Sequence, residues 1–215
     1  MNDEQAVLDF FAREENLPLA LIAAEHLDAI RLRLNNEFWQ LLRGKLDALL
    51  AQHALPWSSQ PTEDRNAEEC LVGLHLQPSA EPRIFLRPFM EQQFTGNGYR
   101  IYHGLMWSSS PAPGQKSLPA VAALSDVLQQ AGFKQGDNFF AWQWLPWHPR
   151  RRDFLMAFSG KRDHLLDEVM RPWQYLLLDC GEQLRLANLA LSRPEGTSAS
   201  ISLDHLRSKL PSQSL

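Results

Sequence analysis

Apolar residues recur at helical spacing through the first third of the chain. Val7, Phe10 and Phe11 form an i, i+3, i+4 set behind Asn2 or Asp3, either of which can cap a first helix. Pro18 suits the first turn of a second helix, where its missing N–H is not needed. Leu21, Ile22, Leu27, Ile30 and Leu34 follow at helical intervals. Phe38, Leu41, Leu42, Leu46, Leu49 and Leu50 then form a stronger stripe. Asn35 or Asn36 is placed to cap that stripe, which divides the region into a helical pair. Gly44 inside it costs about 1 kcal/mol relative to Ala, which implies close packing there.

Residues 56–66, PWSSQPTEDRN, read as a polar loop, and the period then changes from helical to alternating. ECLVGLHLQP places Cys70, Val72, Leu74 and Leu76 on one face of a strand and Leu71, Gly73 and His75 on the other. RIFLRPFME and GYRIYHGLMW, joined by the turn-rich TGNG, complete a three-stranded antiparallel meander. After the loop SSSPAPGQKSLP, the segment LPAVAALSDVLQQAGF predicts a short amphipathic helix ended by Gly132. FFAWQWLPW predicts a fourth strand, with Phe140, Trp142 and Trp144 on its buried face. RRDFLMAFSG predicts its partner, with Phe154, Met156 and Phe158 on one side and HPRRR as the turn between them. Residues 161–191 are helical in pattern, with a break expected at Pro172.

These elements predict an α+β fold: an N-terminal helical pair, a central antiparallel sheet of about five strands and a long C-terminal helical segment. Residues 1–192 form one domain in this reading. Residues 193–215 form a flexible tail in which Leu203, Leu206 and Leu210 could align on a short helix.

Composition narrows the function classes. The chain has 215 residues, enough for a substantial core, and a formal net charge of −4, which argues against a dedicated nucleic-acid coat. Its two cysteines, Cys70 and Cys180, are far apart and belong to no ligand series, so they read as buried thiols in a reducing compartment. The acidic N-terminus lacks the basic start of a signal peptide, and no apolar run approaches the roughly 20 residues of a membrane span. A soluble, cytoplasmic protein without membrane contact is expected.

Chemistry-bearing residues are scattered. The seven histidines include no HxH or HxxxH pair, although His75 and His103 could face each other across the sheet. Asp163, Asp167 and Glu168 suit the first turns of a helix on macrodipole grounds alone, and Glu68 and Glu69 point to opposite sides of an extended chain. TGNG precedes a strand, the reverse of the order a phosphate-cradling turn requires, and no Walker lysine motif is present. No catalytic residue, metal site or cofactor is therefore assigned. The best local candidate is the basic hairpin tip, where Trp147, Arg150, Arg151 and Arg152 would join Lys161 and Arg162 in contacting nucleic acid.

Phe38-Trp39 at the end of a helical stretch, followed by a sheet carrying Tyr102-His103-Gly104-Leu105-Met106-Trp107, resembles the C-terminal half of certain bacterial PD-(D/E)XK nuclease-superfamily proteins. The resemblance covers roughly residues 25–191. It does not extend to the catalytic signature: neither Glu-x-Lys nor Asp-x-Lys occurs anywhere in the chain. What the resemblance implies is therefore an accessory half, working beside a partner that holds the metal. Three functions follow. The first is a noncatalytic interaction or accessory protein with a protein partner, compatible with a homo-oligomer. The second is a nucleic-acid-binding module using the basic tip. The third is a metal-dependent hydrolase with a dispersed site near His75 and His103.

Overall fold

A computed structural model of the chain describes residues 3–67, 69–79, 84–96 and 98–192; the predicted tail lies outside them. Three helices, α1 (Asp3–Phe11), α2 (Leu17–Glu25) and α3 (Leu27–Gln52), lead into strands β1 (Trp57–Glu63), β2 (Leu71–Pro78), β3 (Leu86–Thr95) and β4 (Gly98–Trp107). Helix α4 (Pro119–Gln130) precedes β5 (Phe139–Trp144), and α5 (Arg152–Gly160), α6 (Arg162–Gln174) and α7 (Gly181–Ser192) close the described chain. The sheet is antiparallel throughout, in the order β1-β2-β3-β4-β5. The α+β class and the N-terminal helices, central sheet and C-terminal helices are as the pattern predicts.

Two of the elements differ from prediction. The segment expected as a polar loop is edge strand β1, whose Pro61 has no N–H to lose at a sheet edge. Its polarity has a local cause: buried Ser59 donates to Asp47 at 2.5 Å and accepts from Arg43 Nε at 3.1 Å, both from α3. The segment expected as the partner of β5 is helix α5. Phe154 and Phe158, four residues apart, turn inward onto Phe38, with ring centroids 5.0 and 5.9 Å away, while Met156 between them is 64% exposed. Spacing of two and spacing of four coincide at Phe154 and Phe158, and only Met156 separates them.

Two asparagines also take an unpredicted role. Helix α3 runs unbroken through Asn35 and Asn36, which clamp the start of β2 instead of capping a helix. Asn35 Nδ2 donates to Leu71 O at 2.7 Å, Asn36 Nδ2 donates to Glu69 O at 2.6 Å, and Asn36 Oδ1 accepts from the Leu71 N–H at 3.0 Å. Asn35 is 2% exposed, so removing its amide opens a buried gap and takes the short donor from the Leu71 carbonyl. Asn35→Ala is expected to lower unfolding free energy by about 1–3 kcal/mol in urea titration. Asn35→Asp is expected to do the same, because a carboxylate cannot donate; a neutral effect of both would remove the clamp from the account. Gly44, expected in close contact, is exposed, and nothing lies within 4 Å of where its Cβ would be.

The helices stack on one face of the sheet. Trp39, Leu42 and Leu46 of α3 share a core with Leu74, Leu76, Met90 and Ile101, joined by Phe154, Phe158 and the apolar face of α6. A second cluster unites Leu86, Leu105, Trp107 and Phe140 with Val121, Leu124 and Leu128 of α4 and Leu184, Ala187 and Leu191 of α7. Asn188 of α7 fixes that helix to β3, accepting from the Leu86 N–H at 2.7 Å and donating to Leu86 O at 3.0 Å. The helical break comes later than Pro172. Helix α6 passes through it, and a π-helical turn follows at Tyr175–Asp179, closed by the Cys180 N–H on Tyr175 O at 2.9 Å. Cys70 and Cys180 are buried free thiols. Among the described residues, no helix is long and apolar enough to cross a membrane.

Candidate functional site

The basic segment does not form one surface. Arg150 lies in a left-handed conformation (φ 70°), stacks over the Tyr99 ring at 4.5 Å, and donates from Nη2 to Cys70 Sγ at 3.1 Å. Burial raises the Cys70 thiol pKa, and the Arg150 guanidinium partly offsets that rise. Trp147 turns inward, 6.1 Å from the Phe154 ring. Arg151 lies 3.7 Å from Asp153. Arg162 pairs with Glu37 at 2.9 Å while covering the Phe158 ring. Arg152 and Lys161 are exposed, but they stand at opposite ends of α5, roughly 13 Å apart along its axis. Since residues 152–160 are helical, the chain has no hairpin tip there to gather these six side chains.

His75 and His103 are separated as well. In register, His75 aligns with Phe89 and Gly104, while His103 aligns with Met90 and Leu74, the neighbouring row. Alternation places the two rings on opposite faces with β3 between them. Among the described residues, no group of three or more His, Cys, Asp or Glu is arranged to hold a metal ion.

The sheet face away from the helices carries an aromatic surface; of the three residues expected on the buried face of β5, Phe140 is in the core, whereas Trp142 and Trp144 belong to this surface. On this side Gly104 lies between Phe89 of β3 and Trp142 of β5. A Cβ on Gly104 would collide with the Ala141 carbonyl and come within 2.8 Å of Trp142 Cα, so only glycine lets β4 and β5 meet at this spacing. A register shift at Leu105/Met106 then puts Phe140 on the core side, while Phe139, Trp142 and Trp144 face outward. Phe139 packs 5.2 Å from Phe89 and 5.7 Å from Tyr102, and Trp144 lies 5.5 Å from both Tyr102 and Trp142. Phe89 and Tyr102 are buried beneath these rings, whereas Phe139, Trp142 and Trp144 remain half-buried. None of the five belongs to either helix-covered core cluster.

Cations border the rings. Arg100 lies over Trp144 at 5.0 Å, with its Nε on Leu145 O at 3.1 Å, and Lys134 lies over Trp142 at 5.7 Å. A polar network adjoins them: Tyr102 donates to Glu91 at 2.8 Å, Thr62 donates to Glu91 at 3.3 Å, and Thr62 is 3.2 Å from His75 Nδ1. Burial, then the Glu91 carboxylate, push the Tyr102 pKa well up; burial, then Arg87, push that of His75 down. Tyr102 is thus a neutral hydrogen-bond donor at physiological pH, and the geometry is that of a held platform.

A third surface is the N-terminal arm. Among residues 5–30, only Asn16 and Ala20 are even partly buried, and α2 has no buried residue. Ten large apolar side chains between Val7 and Ile30 are 37–61% exposed. An apolar cleft of about 910 Å³ also lies between the π-helical turn, α7 and the entry to β1, where Glu182 and Arg185 bind each other at 2.7 and 2.8 Å.

The molecule is thus a two-layer α+β protein with helices on one sheet face, aromatics on the other, and an apolar helical arm. Comparison with protein-family models, curated proteins and solved structures finds no match in any of the three.

Proposed function

We propose that the chain is a noncatalytic interaction protein that joins a protein partner through its N-terminal arm. The observation that carries this is the concentration of exposed apolar side chains on α1, α2 and the first turns of α3. Soluble monomers rarely expose contiguous apolar patches of more than a few hundred Å², and amphipathic helices bury such faces in a partner's groove or in a shared bundle. From Asn35 onward the same helix α3 turns Phe38, Trp39, Leu42 and Leu46 into the core. The last part of the arm, the first turns of α3, is therefore continuous with a helix anchored in the core. The resemblance to PD-(D/E)XK proteins gives the partner a character: a chain supplying the Asp and Glu-x-Lys residues missing here.

Sedimentation of the wild type beside a Leu19→Glu/Ile22→Glu variant tests the arm. Both positions are more than half exposed, so the variant is expected to fold. The wild type is expected to self-associate, or to retain from lysate of its native cells a protein that the variant does not retain. A monomeric wild type that retains nothing more than the variant overturns the proposal.

A further inference from the structure

We infer that the outward face of the sheet binds single-stranded nucleic acid, with bases stacking on Trp142 and Trp144 and phosphates meeting Arg100 and Lys134. This site lies on the side of the sheet away from the helices, so it is separate from residues 150–162 and independent of the arm.

Three observations converge on that chemistry. The first is the rings: Trp142, Trp144 and Phe139 are half-buried on a face without helices, supported from below by Phe89 and Tyr102. Tryptophan stacks on any base, and stacking requires that the base be unpaired. The second is the charge. In the paired rows of β2 to β5 on this face, Arg87 and Arg100 face a single carboxylate, Glu91, which Tyr102 and Thr62 already occupy; beside β5, Lys134 adds a third cation and exposed Asp137 a second carboxylate, so cations remain in excess. A locally cationic face on a chain of net charge −4 points to an anionic ligand. The third is that each tryptophan already holds a cation over its ring. A base entering over the ring displaces that cation outward, where it meets the phosphate of the same strand. An apolar protein surface would instead desolvate Arg100 and Lys134 without neutralising them.

The test is a titration of the full chain with labelled homopolymers of about 12 nucleotides, within the usual footprint of such platforms. Oligo-dT, oligo-U and a duplex of equal length are each followed by tryptophan fluorescence at several salt concentrations. Single strands are expected to quench the fluorescence and to bind tighter than the duplex, and dT against U separates a DNA from an RNA preference. Log K is expected to fall linearly with log salt, and Arg100→Gln/Lys134→Gln should flatten that slope by about 0.7 per lost contact. Trp142→Ala/Trp144→Ala should weaken binding at least tenfold. The Gln pair keeps the test decisive if the Ala pair unfolds. Replacing Arg150, Arg151 and Arg152 with Gln, or introducing Leu19→Glu/Ile22→Glu, should leave binding unchanged. Absence of single-strand binding at low salt overturns the inference, as does duplex binding of equal strength or a slope unmoved by the Gln pair. A face that instead serves a protein partner gives the first of these outcomes.

Discussion

Trp39→Ala is expected to lower the free energy of unfolding by about 3–5 kcal/mol, the usual range for truncating a large buried aromatic. Trp39 is fully buried where α3 crosses the sheet, meets Phe38 edge-on with ring centroids 5.0 Å apart, and donates from its indole to buried Gln92 Oε1 at 3.4 Å. Truncation opens a cavity between the two layers and leaves Gln92 without that donor, so the cavity and desolvation losses add. Against a typical total of about 5–15 kcal/mol, this places the variant near unfolding. Leu41, two positions along the same helix, is 38% exposed, and Leu41→Ala is expected to cost well under half as much. Urea denaturation of both variants measures the difference. Equal losses would mean that the Trp39 face of α3 does not carry the contact between helix and sheet.

Acidification is expected to destabilise the protein through His103. Its ring is 2% exposed, packs 5.3 Å from Phe133, and finds no hydrogen-bond partner for either nitrogen among the described residues. Burial lowers its pKa from 6.5 to about 4, so the folded state excludes a proton that the unfolded state takes up. The contribution to stability is intact above pH 6.5, is lost as pH falls from 6.5 towards 4, and changes no further below that. The span corresponds to about 3 kcal/mol. Burial and Arg87 lower the His75 pKa as well, which acts in the same direction. His103→Leu removes the buried unpaired nitrogens together with the titration. That variant should match or exceed wild type at pH 7 and lose less stability on going to pH 4. Urea midpoints for both proteins across that interval check it; parallel acid limbs would refute it.

The arm was visible in the sequence as a helical repeat, and Pro18 does stand in the first turn of α2. What the sequence did not contain was that Val7, Phe10 and Ile22 stay about half exposed, because periodicity marks an apolar face without naming its neighbour. The outward position of Trp142 and Trp144 has a related cause. Phe140, Trp142 and Trp144 alternate as one face of a regular strand, and the register shift opposite Leu105 and Met106 breaks that alternation. Nothing in FFAWQW encodes the shift, which arises where Gly104 lets β5 approach β4.

What the sequence determined by itself was local: the period that made α1, α4 and the β2-β3-β4 meander, the glycine that ends α4, and the scatter of titratable residues. These follow from side-chain direction over a few residues, where the alternation of two or 3.6 is set by the backbone alone. The tertiary structure decided what depends on partners distant in the chain. Asn35 and Asn36 hold β2 instead of capping a helix because Glu69 and Leu71 offer them backbone groups. The segment from Arg152 becomes helix α5 because Phe38 lies where Phe154 and Phe158 can both reach it. That choice spreads the arginines of WHPRRR along a loop and a helix start, and it leaves Trp142 and Trp144 as the ring surface facing away from the helices.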